Sequence, residues 1–118
     1  MIRNLYFIEL TVADWEASIT WYRDKLGLEL VLRMDSNQFA LLRAGAGRLA
    51  LKAGAPQVGT VLLAFEVDDL PSELERLHDL GIVPEKSLIE SSEGYRQAIV
   101  RDPDGYRLSL FDWPGLPP

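Results

Sequence analysis

Cysteine and histidine, two residue types that often support transition-metal or nucleophilic chemistry, are scarce in this 118-residue chain. It has no cysteine, which excludes thiol catalysis, a thiolate metal site and a disulfide framework. The single histidine, His78, follows Leu77 on a predicted helix and lies outside the apolar stripe of that helix. One histidine cannot supply a two-histidine iron site, and we expect His78 to be an exposed surface residue.

The polar residues best suited to chemistry lie on predicted strands. Glu9 stands between apolar residues on the first strand, where a lone carboxylate needs an arginine partner or contact with water. Two later strands supply amide, guanidinium and hydroxyl groups from Gln97, Arg101, Arg107 and Ser109. Two alternatives follow for Glu9. It forms an internal ion pair with an arginine, or it acts as a general base while Arg101 or Arg107 stabilises a developing oxyanion.

Glu9 lies on a strand predicted at the N-terminus, and an amphipathic helix follows that strand. Apolar and polar residues alternate through residues 7–12, and Asp14 is a typical N-cap for a helix predicted over 15–26. Gly27 ends this helix, because glycine adopts the left-handed conformation without a Cβ clash. Residues 62–82 repeat the pattern about 55 positions later. Such a repeat indicates two copies of one supersecondary unit.

Each predicted helix is followed by strand-like sequence. The predicted strands are 29–34, 39–43 and 49–52 in the first half, and 83–84, 95–101 and 106–111 in the second. We predict a mobile polar loop over 86–94. The glycine- and proline-bearing residues 54–59 form a connector between the halves.

The turn Asp102-Pro103-Asp104-Gly105 predicts a three-residue hairpin loop that pairs Asp102 with Tyr106. Side chains that pair across strands share a face, so this register fixes what faces away from helix two. That set is Gln97, Ile99, Arg101, Arg107, Ser109 and Phe111. Applied to the first half, the same register puts three residues under helix one: Ala40, Leu42 and Ala50. It turns the following residues inward: Phe7, Glu9, Phe39, Leu41, Arg43, Leu49 and Leu51.

Charge and hydropathy narrow the range of partners. The net charge is −6, and no cluster of lysine and arginine suited to phosphates is visible, so we expect no nucleic-acid partner. The apolar run at the N-terminus is broken by Glu9 and Asp14 and is too short for a signal peptide or a membrane span. We therefore expect a cytoplasmic protein with no membrane partner.

Two motifs and the order of the elements resemble the vicinal oxygen chelate superfamily. The motifs are WYRDKLGLEL (21–30) and VRDPDGYRLSLF (100–111). That superfamily includes glyoxalase I, the extradiol dioxygenases and the fosfomycin- and bleomycin-resistance proteins. The resemblance covers residues 3–113 and implies an α+β fold, in which two βαβββ modules form a curled mixed-sheet cup.

The resemblance also implies how the chain is divided and assembled. A single domain, 1–118, would contain module one (3–53), the linker (54–59) and module two (60–113). Ligands of these proteins bind inside the cup, usually with dimerisation completing the site. We therefore expect a homodimer that binds a small molecule.

Enzymes of this superfamily generally hold a divalent ion with His, Gln or Glu from the first and last strands of each module. The resemblance places those positions at Phe7, Leu51, Leu62 and Ser109. Phenylalanine and leucine have no lone pair to donate, and a hydroxyl is a poor ligand for zinc or iron. We expect no metal and no other cofactor.

The leading hypothesis is a metal-free protein that binds a small, partly apolar molecule, similar in this respect to the bleomycin-resistance proteins. The candidate ligand-binding residues are Phe7, Glu9, Leu49, Leu51, Leu62, Gln97, Arg101, Arg107, Ser109, Phe111 and Trp113. One alternative is a metal-independent lyase or isomerase with Glu9 as its general base. The other is a non-catalytic interaction module whose cup is filled by its own side chains.

Overall fold

The computed structural model describes residues 1–114, and the last four residues of the predicted domain lie outside the described part. The chain divides into two compact units, Met1–Gln57 and a second unit that begins at Val58. Each unit has the order strand, helix, strand, strand, strand. The predicted α+β fold of two βαβββ modules is therefore confirmed.

The first unit is one mixed sheet with one helix packed against it. Its elements are β1 (Ile8–Val12), α1 (Trp15–Asp24), β2 (Glu29–Met34), β3 (Phe39–Ala44) and β4 (Gly47–Ala53). The strand order is β1-β4-β3-β2, in which β1 runs parallel to β4 and the other pairs are antiparallel. One sheet edge is therefore β1 and the other is β2.

The start and the amphipathic character of α1 follow the prediction, whereas the helix ends at Asp24, two residues before the predicted end at residue 26. The Asp14 carboxylate accepts a hydrogen bond from the backbone N–H of Ala17 at 3.0 Å. Ile19 and Tyr22 are fully buried on the sheet side of the helix. Trp15 is also buried, and its indole N–H donates to the carbonyl of Leu51 at 3.1 Å. The helix ends before Gly27, which has a φ of 77°.

The second unit repeats this arrangement. Its elements are β5 (Leu63–Glu66), α2 (Leu70–Asp79), β6 (Lys86–Glu90), β7 (Arg96–Arg101) and β8 (Arg107–Asp112), with the strand order β5-β8-β7-β6. Asp69 caps α2 by accepting from the backbone N–H of Ser72. None of the helices in residues 1–114 has the length and apolar character needed to cross a membrane.

The register of the second hairpin is as predicted. Arg101 pairs with Arg107, Ile99 pairs with Ser109, and Gly105 has a φ of 91°. The four alternate residues, Ala98, Val100, Leu108 and Leu110, are buried on the α2 side of the sheet. The opposite surface of a sheet is called its helix-free face, and in this unit it carries five of the predicted site residues: Gln97, Arg101, Arg107, Ser109 and Phe111.

The register predicted for the first hairpin is wrong. Ala44 pairs with Gly47 across a two-residue turn, so that Leu41 lies opposite Ala50 and Leu42 lies opposite Leu49. Leu49 and Leu51 therefore lie under α1, and Ala50 lies on the helix-free face of the first sheet. This is the reverse of the prediction for these three residues. The second hairpin has a three-residue loop, and a difference of one residue exchanges the two faces of a strand.

Two predictions for residues 83–94 are also wrong. The strand predicted at 83–84 lies further along the chain as β6, Lys86–Glu90, within the segment predicted to be a loop. This strand pairs with β7 through an irregular register that shifts between Lys86 and Ile89, and Leu88 has a φ of 51°. The bulge interrupts the period-two alternation by which a strand is recognised in sequence.

Candidate functional site

The helix-free face of the second sheet brings six predicted side chains into one array. Three come from β7 and three from β8: Gln97, Ile99 and Arg101, then Arg107, Ser109 and Phe111. On each strand these residues alternate with the buried residues under α2. The two strands thus set out two rows of side chains, with about 7 Å between successive members of each row.

The centre of this array is a hydroxyl–amide pair. The Ser109 hydroxyl donates to the Gln97 side-chain oxygen at 2.8 Å, and Ser109 is 1 % exposed. The pair satisfies a buried hydroxyl, which would otherwise have a desolvation cost. It also fixes the Gln97 amide beside Ser109.

One end of the array is aromatic. Tyr95, Phe111 and Trp113 form what we call the aromatic cluster, with ring centroids 5.4 Å apart for Tyr95–Trp113, 5.5 Å for Tyr95–Phe111 and 6.3 Å for Phe111–Trp113. The three side chains are half-buried. Their distances and tilted or edge-on orientations are those of stabilising aromatic contacts.

The other end of the array is charged. Arg101 donates to the Glu85 carboxylate from Nε at 3.1 Å and from Nη2 at 3.4 Å, and its Nη1 donates to the carbonyl of Gly105 at 2.8 Å. Arg107 approaches the same carboxylate less closely, with Nε 3.7 Å from the Glu85 oxygen. We call Glu85, Arg101 and Arg107 the Glu85 triad.

Glu85 was missed as a site residue because it precedes a strand that the sequence pattern did not reveal. Its backbone N–H donates to the carbonyl of Ile99 at 2.7 Å, which extends the pairing of β6 with β7 by one residue. The internal repeat contains a signal that could have identified Glu85. Glu29 occupies the equivalent place at the start of β2 and pairs with Arg43.

The first unit contains an equivalent charged group, the Glu29 triad of Glu29, Arg43 and Arg48. Arg43 Nη2 donates to both Glu29 oxygens, at 2.6 and 2.9 Å. Arg43 pairs with Arg48 across the hairpin as Arg101 pairs with Arg107. The guanidinium carbon of Arg48 lies 4.4 Å from the ring centroid of Tyr6, which is a cation–π contact.

The helix-free face of the first sheet carries two of the predicted residues, Phe7 and Glu9. The Phe7 ring lies 5.9 Å from the ring of Phe39. Glu9 pairs in register with Ala50 and is exposed. Among residues 1–114, Glu9 forms no ion pair, so the predicted internal pair with an arginine is not present there. Leu49 and Leu51 do not belong to this face.

The corrected register also moves one position that the resemblance gives to a metal ligand. Glu9 pairs with Ala50 as Ala64 pairs with Ser109, so Ala50 rather than Leu51 is the equivalent of Ser109. Three of the four positions then hold side chains without a donor atom, namely Phe7, Ala50 and Leu62. The fourth position is Ser109, whose hydroxyl already donates to Gln97. These residues do not fit a divalent ion.

Histidine and acidic side chains elsewhere in the described chain do not form a metal-binding cluster. Within residues 1–114 there is no cluster of three or more His, Asp or Glu side chains able to hold an ion. His78 lies on α2 with its side chain 79 % exposed, as expected.

Asp112 attaches the end of β8 to the start of α2, next to the aromatic cluster. Its carboxylate accepts from Arg96 Nε at 2.8 Å and Nη2 at 2.6 Å, and from the backbone N–H of Leu70 at 2.7 Å. Hydrogen bonding to Arg96 lowers the pKa of Asp112, with the Leu70 N–H adding to the effect against the opposing effect of burial. This buried contact holds strand and helix in place behind the candidate site.

The repeated βαβββ units and the helix-free faces define the class of protein. The sequence model of the Glyoxalase/Bleomycin resistance protein/Dioxygenase superfamily matches residues 5–110, and the chain belongs to this superfamily. The resemblance given by its motifs is thereby confirmed.

Individual relatives are distant in sequence and similar in fold. The chain is 26% identical over 124 residues to the uncharacterized protein YraH of Bacillus subtilis (strain 168), covering 92% of this chain and 97% of the relative. An integron cassette protein from the Halifax Harbour sewage outfall metagenome superposes with a TM-score of 0.83 at 19% identity, covering 94% of this chain and 99% of that one. A lactoylglutathione lyase from Agrobacterium tumefaciens gives 0.78 at 23% identity, covering 92% of both chains.

Proposed function

We propose that this protein binds a small, partly apolar molecule without the help of a metal ion. The observation that carries the proposal is the residue set at the four positions of the superfamily's metal ligands, Phe7, Ala50, Leu62 and Ser109. It offers three side chains without a donor atom and one hydroxyl that already donates to Gln97. Residues of these types do not supply the ligands that metal-dependent chemistry requires.

The helix-free face of the second sheet supports the same proposal. Small-molecule sites are mostly apolar and carry a few fixed polar groups that orient the ligand. Here the aromatic cluster offers apolar surface, the Gln97–Ser109 pair offers a fixed amide, and the Glu85 triad offers guanidinium groups. The three features follow one another along β8, so one molecule is able to contact an aromatic group and a polar group together.

Isothermal titration of the purified protein against a panel of aromatic and aliphatic metabolites and drugs tests the binding function. We expect saturable binding of at least one aromatic compound, and a loss of about tenfold in affinity for Trp113→Leu. Trp21→Leu, a change to a half-buried tryptophan on α1, is the matched control and retains the affinity. Absence of saturable binding across the panel contradicts the proposal.

Elemental analysis tests the metal-free part. We expect less than about 0.1 equivalent of zinc, iron, manganese or nickel in protein purified without chelators, because donor atoms are lacking. Ligand affinity should be the same before and after treatment with EDTA. A stoichiometric transition metal whose removal abolishes binding overturns this part of the proposal.

A metal-independent lyase or isomerase with Glu9 as its general base is the second candidate. The property of Glu9 that favours it is the lack of an ion-pair partner within residues 1–114. The Glu9 side chain is exposed and forms no ion pair within residues 1–114, so its carboxylate is available as a base. Once a ligand is found, NMR follows its conversion by wild-type protein and by Glu9→Gln. A drop of about 100-fold in turnover supports the assignment, and an undiminished rate contradicts it.

A further inference from the structure

The internal repeat extends to the charged side chains at the hairpin ends, and this permits a direct comparison of the two copies. In both triads a glutamate near the start of one strand (β2 or β6) is hydrogen-bonded to an arginine near the end of the following strand (β3 or β7). A second arginine follows across the hairpin, Arg48 in the first unit and Arg107 in the second. Each triad carries one negative and two positive charges.

The two copies differ in what contacts the second arginine. Arg48 has the ring of Tyr6 at 4.4 Å. Arg107 has no aromatic ring against it and donates no side-chain hydrogen bond within residues 1–114, and its Nε is buried without a hydrogen-bond acceptor. The Arg107 side chain as a whole is 42% exposed.

The residues that precede the first strand of each unit explain why Arg48 has an aromatic partner and Arg107 has none in the described part of the chain. Tyr6 stands two residues before the first residue of β1, and the residue two before the first residue of β5 is Val61. The pairs Ile8–Leu49 and Leu63–Leu108 are equivalent, so Tyr6 and Val61 hold corresponding positions in the two units. Val61 is 74% exposed and has no ring. The second copy therefore keeps the cation and lacks its aromatic partner.

We propose that the Arg107 guanidinium binds a planar, electron-rich aromatic ring of the ligand, in the place that Tyr6 takes over Arg48 in the first unit. The inference rests on the proposed binding function and names its ligand class, a phenol, naphthol or indole. Such rings carry negative potential on their faces and are attracted to a cation within about 6 Å of the ring centroid. The rest of the ligand extends along β8 toward the Gln97–Ser109 pair, about 7 Å further on.

The probe is 2-naphthol, and its saturated counterpart, decahydro-2-naphthol, has a similar carbon skeleton without the π-system. NMR of ¹⁵N-labelled protein follows the side-chain Nε–H signals of the arginines. We expect 2-naphthol to move the Arg107 proton signal upfield by ring current and to leave the Arg48 signal unchanged. The saturated probe should bind about fivefold more weakly and produce no upfield shift.

Substitutions at the two corresponding places provide an internal test. Val61→Tyr supplies the missing ring from the chain itself, so the Arg107 signal should move upfield without a probe and 2-naphthol binding should fall about tenfold. Arg107→Gln should also weaken 2-naphthol binding about tenfold. Arg76→Gln removes an arginine of the same 42% side-chain exposure from α2, and it should leave binding unchanged.

The possible results separate this inference from the function on which it rests. Equal affinity for the aromatic and saturated probes, or an unchanged affinity in Arg107→Gln, overturns the ring-stacking inference and leaves the binding function intact. A ligand from the panel that binds without shifting the Arg107 Nε–H signal also overturns the ring-stacking inference and leaves the binding function intact. If no compound in the panel binds, the binding function and the inference fail together.

Discussion

Asp112 illustrates how a single buried carboxylate joins two elements of the second unit. It is 3% exposed and accepts hydrogen bonds from Arg96 and from the first N–H of α2. The backbone N–H groups at a helix start have no partner within the helix, so an acceptor supplied from β8 replaces water there. Asp112 and Asp69 thus satisfy two separate N–H groups of the same helix end.

We predict that Asp112→Asn lowers the free energy of unfolding by about 2 kcal/mol at pH 7, because a buried, charge-assisted hydrogen-bond network loses its charge. Since the folded-state pKa of Asp112 is depressed below its ordinary value of 3.8, its contribution is present above that pH and is lost as the pH falls through the folded-state value. Urea unfolding at pH 7, 5 and 3 measures the difference between variant and wild type.

The control for this prediction is Asp79→Asn, whose side chain is 78% exposed at the end of α2. It should change the free energy of unfolding by less than about 0.5 kcal/mol. A difference between Asp112→Asn and wild type that stays constant from pH 7 to pH 3 would show that the charge of Asp112 does not contribute.

At the scale of single residues, the sequence identified the two arginines and did not reveal their carboxylate partner. Arg101 and Arg107 were placed on the correct face because one turn fixed the register of their hairpin. That partner is Glu85, a residue that the sequence pattern did not single out. Glu85 precedes an irregular strand, and the pairing of side chains distant in sequence depends on strand positions that a local pattern does not contain.

Among the elements, the helices and their ends were the most predictable parts. An aspartate cap, an apolar stripe and a left-handed glycine are all local signals, and each was found where expected in α1. The sheets depended on turn length instead. The first hairpin turns through two residues and the second through three. One register applied to both halves therefore gave the correct faces for β3, β7 and β8 and reversed the faces of β4.

We predict that Asp14→Ala and Asp69→Ala each lower the free energy of unfolding by about 1 kcal/mol, because each removes the acceptor for a first-turn N–H. Chemical denaturation followed by circular dichroism measures the change. Asp68→Ala removes a neighbouring exposed carboxylate that caps no helix and should have an effect within about 0.5 kcal/mol. Equal effects of all three substitutions would contradict capping and indicate a general charge effect.

Glycine at the tight turns gives a second prediction about elements. Gly105 has a φ of 91°, and a Cβ placed there meets no atom within 4 Å, so any cost of Gly105→Ala comes from backbone strain alone. We expect a loss of about 1 kcal/mol in unfolding free energy. Gly47→Ala, at a position without a positive φ, is the matched control in the other hairpin. A larger loss for the control than for Gly105→Ala would contradict the strain argument.

At the scale of the whole molecule, the chain is two copies of one unit that have diverged in their side chains. Hydrogen-bond topology, helix capping and the charged triads are shared. The aromatic cluster belongs to the second unit, and the ring over the second arginine belongs to the first. The repeat was visible in sequence because it preserves spacing, whereas the consequences of these single-residue differences required the strand register.

We expect the protein to form a homodimer in solution. The edge strand β2 carries three exposed apolar side chains, Val31, Leu32 and Met34, which are 39, 45 and 42% exposed. Size-exclusion chromatography with light scattering should give twice the chain mass of 13.3 kDa. Leu32→Lys should shift the mass toward that of one chain, and Val83→Lys, at an exposed residue outside the strands, should not. A mass of one chain at all concentrations contradicts the expectation.

The bond between the Trp15 indole and the carbonyl of Leu51 has a practical consequence for following the folding of this chain. An indole that is buried and hydrogen-bonded inside the first unit has a different emission spectrum from one in water, so its fluorescence reports directly on whether β4 and α1 remain assembled. The three tryptophans are divided between the units, with Trp15 and Trp21 in the first and Trp113 in the second. A Trp113→Phe variant would therefore emit from the first unit alone, and comparison of its melting curve with that of the wild type would reveal whether the two copies unfold together or one after the other.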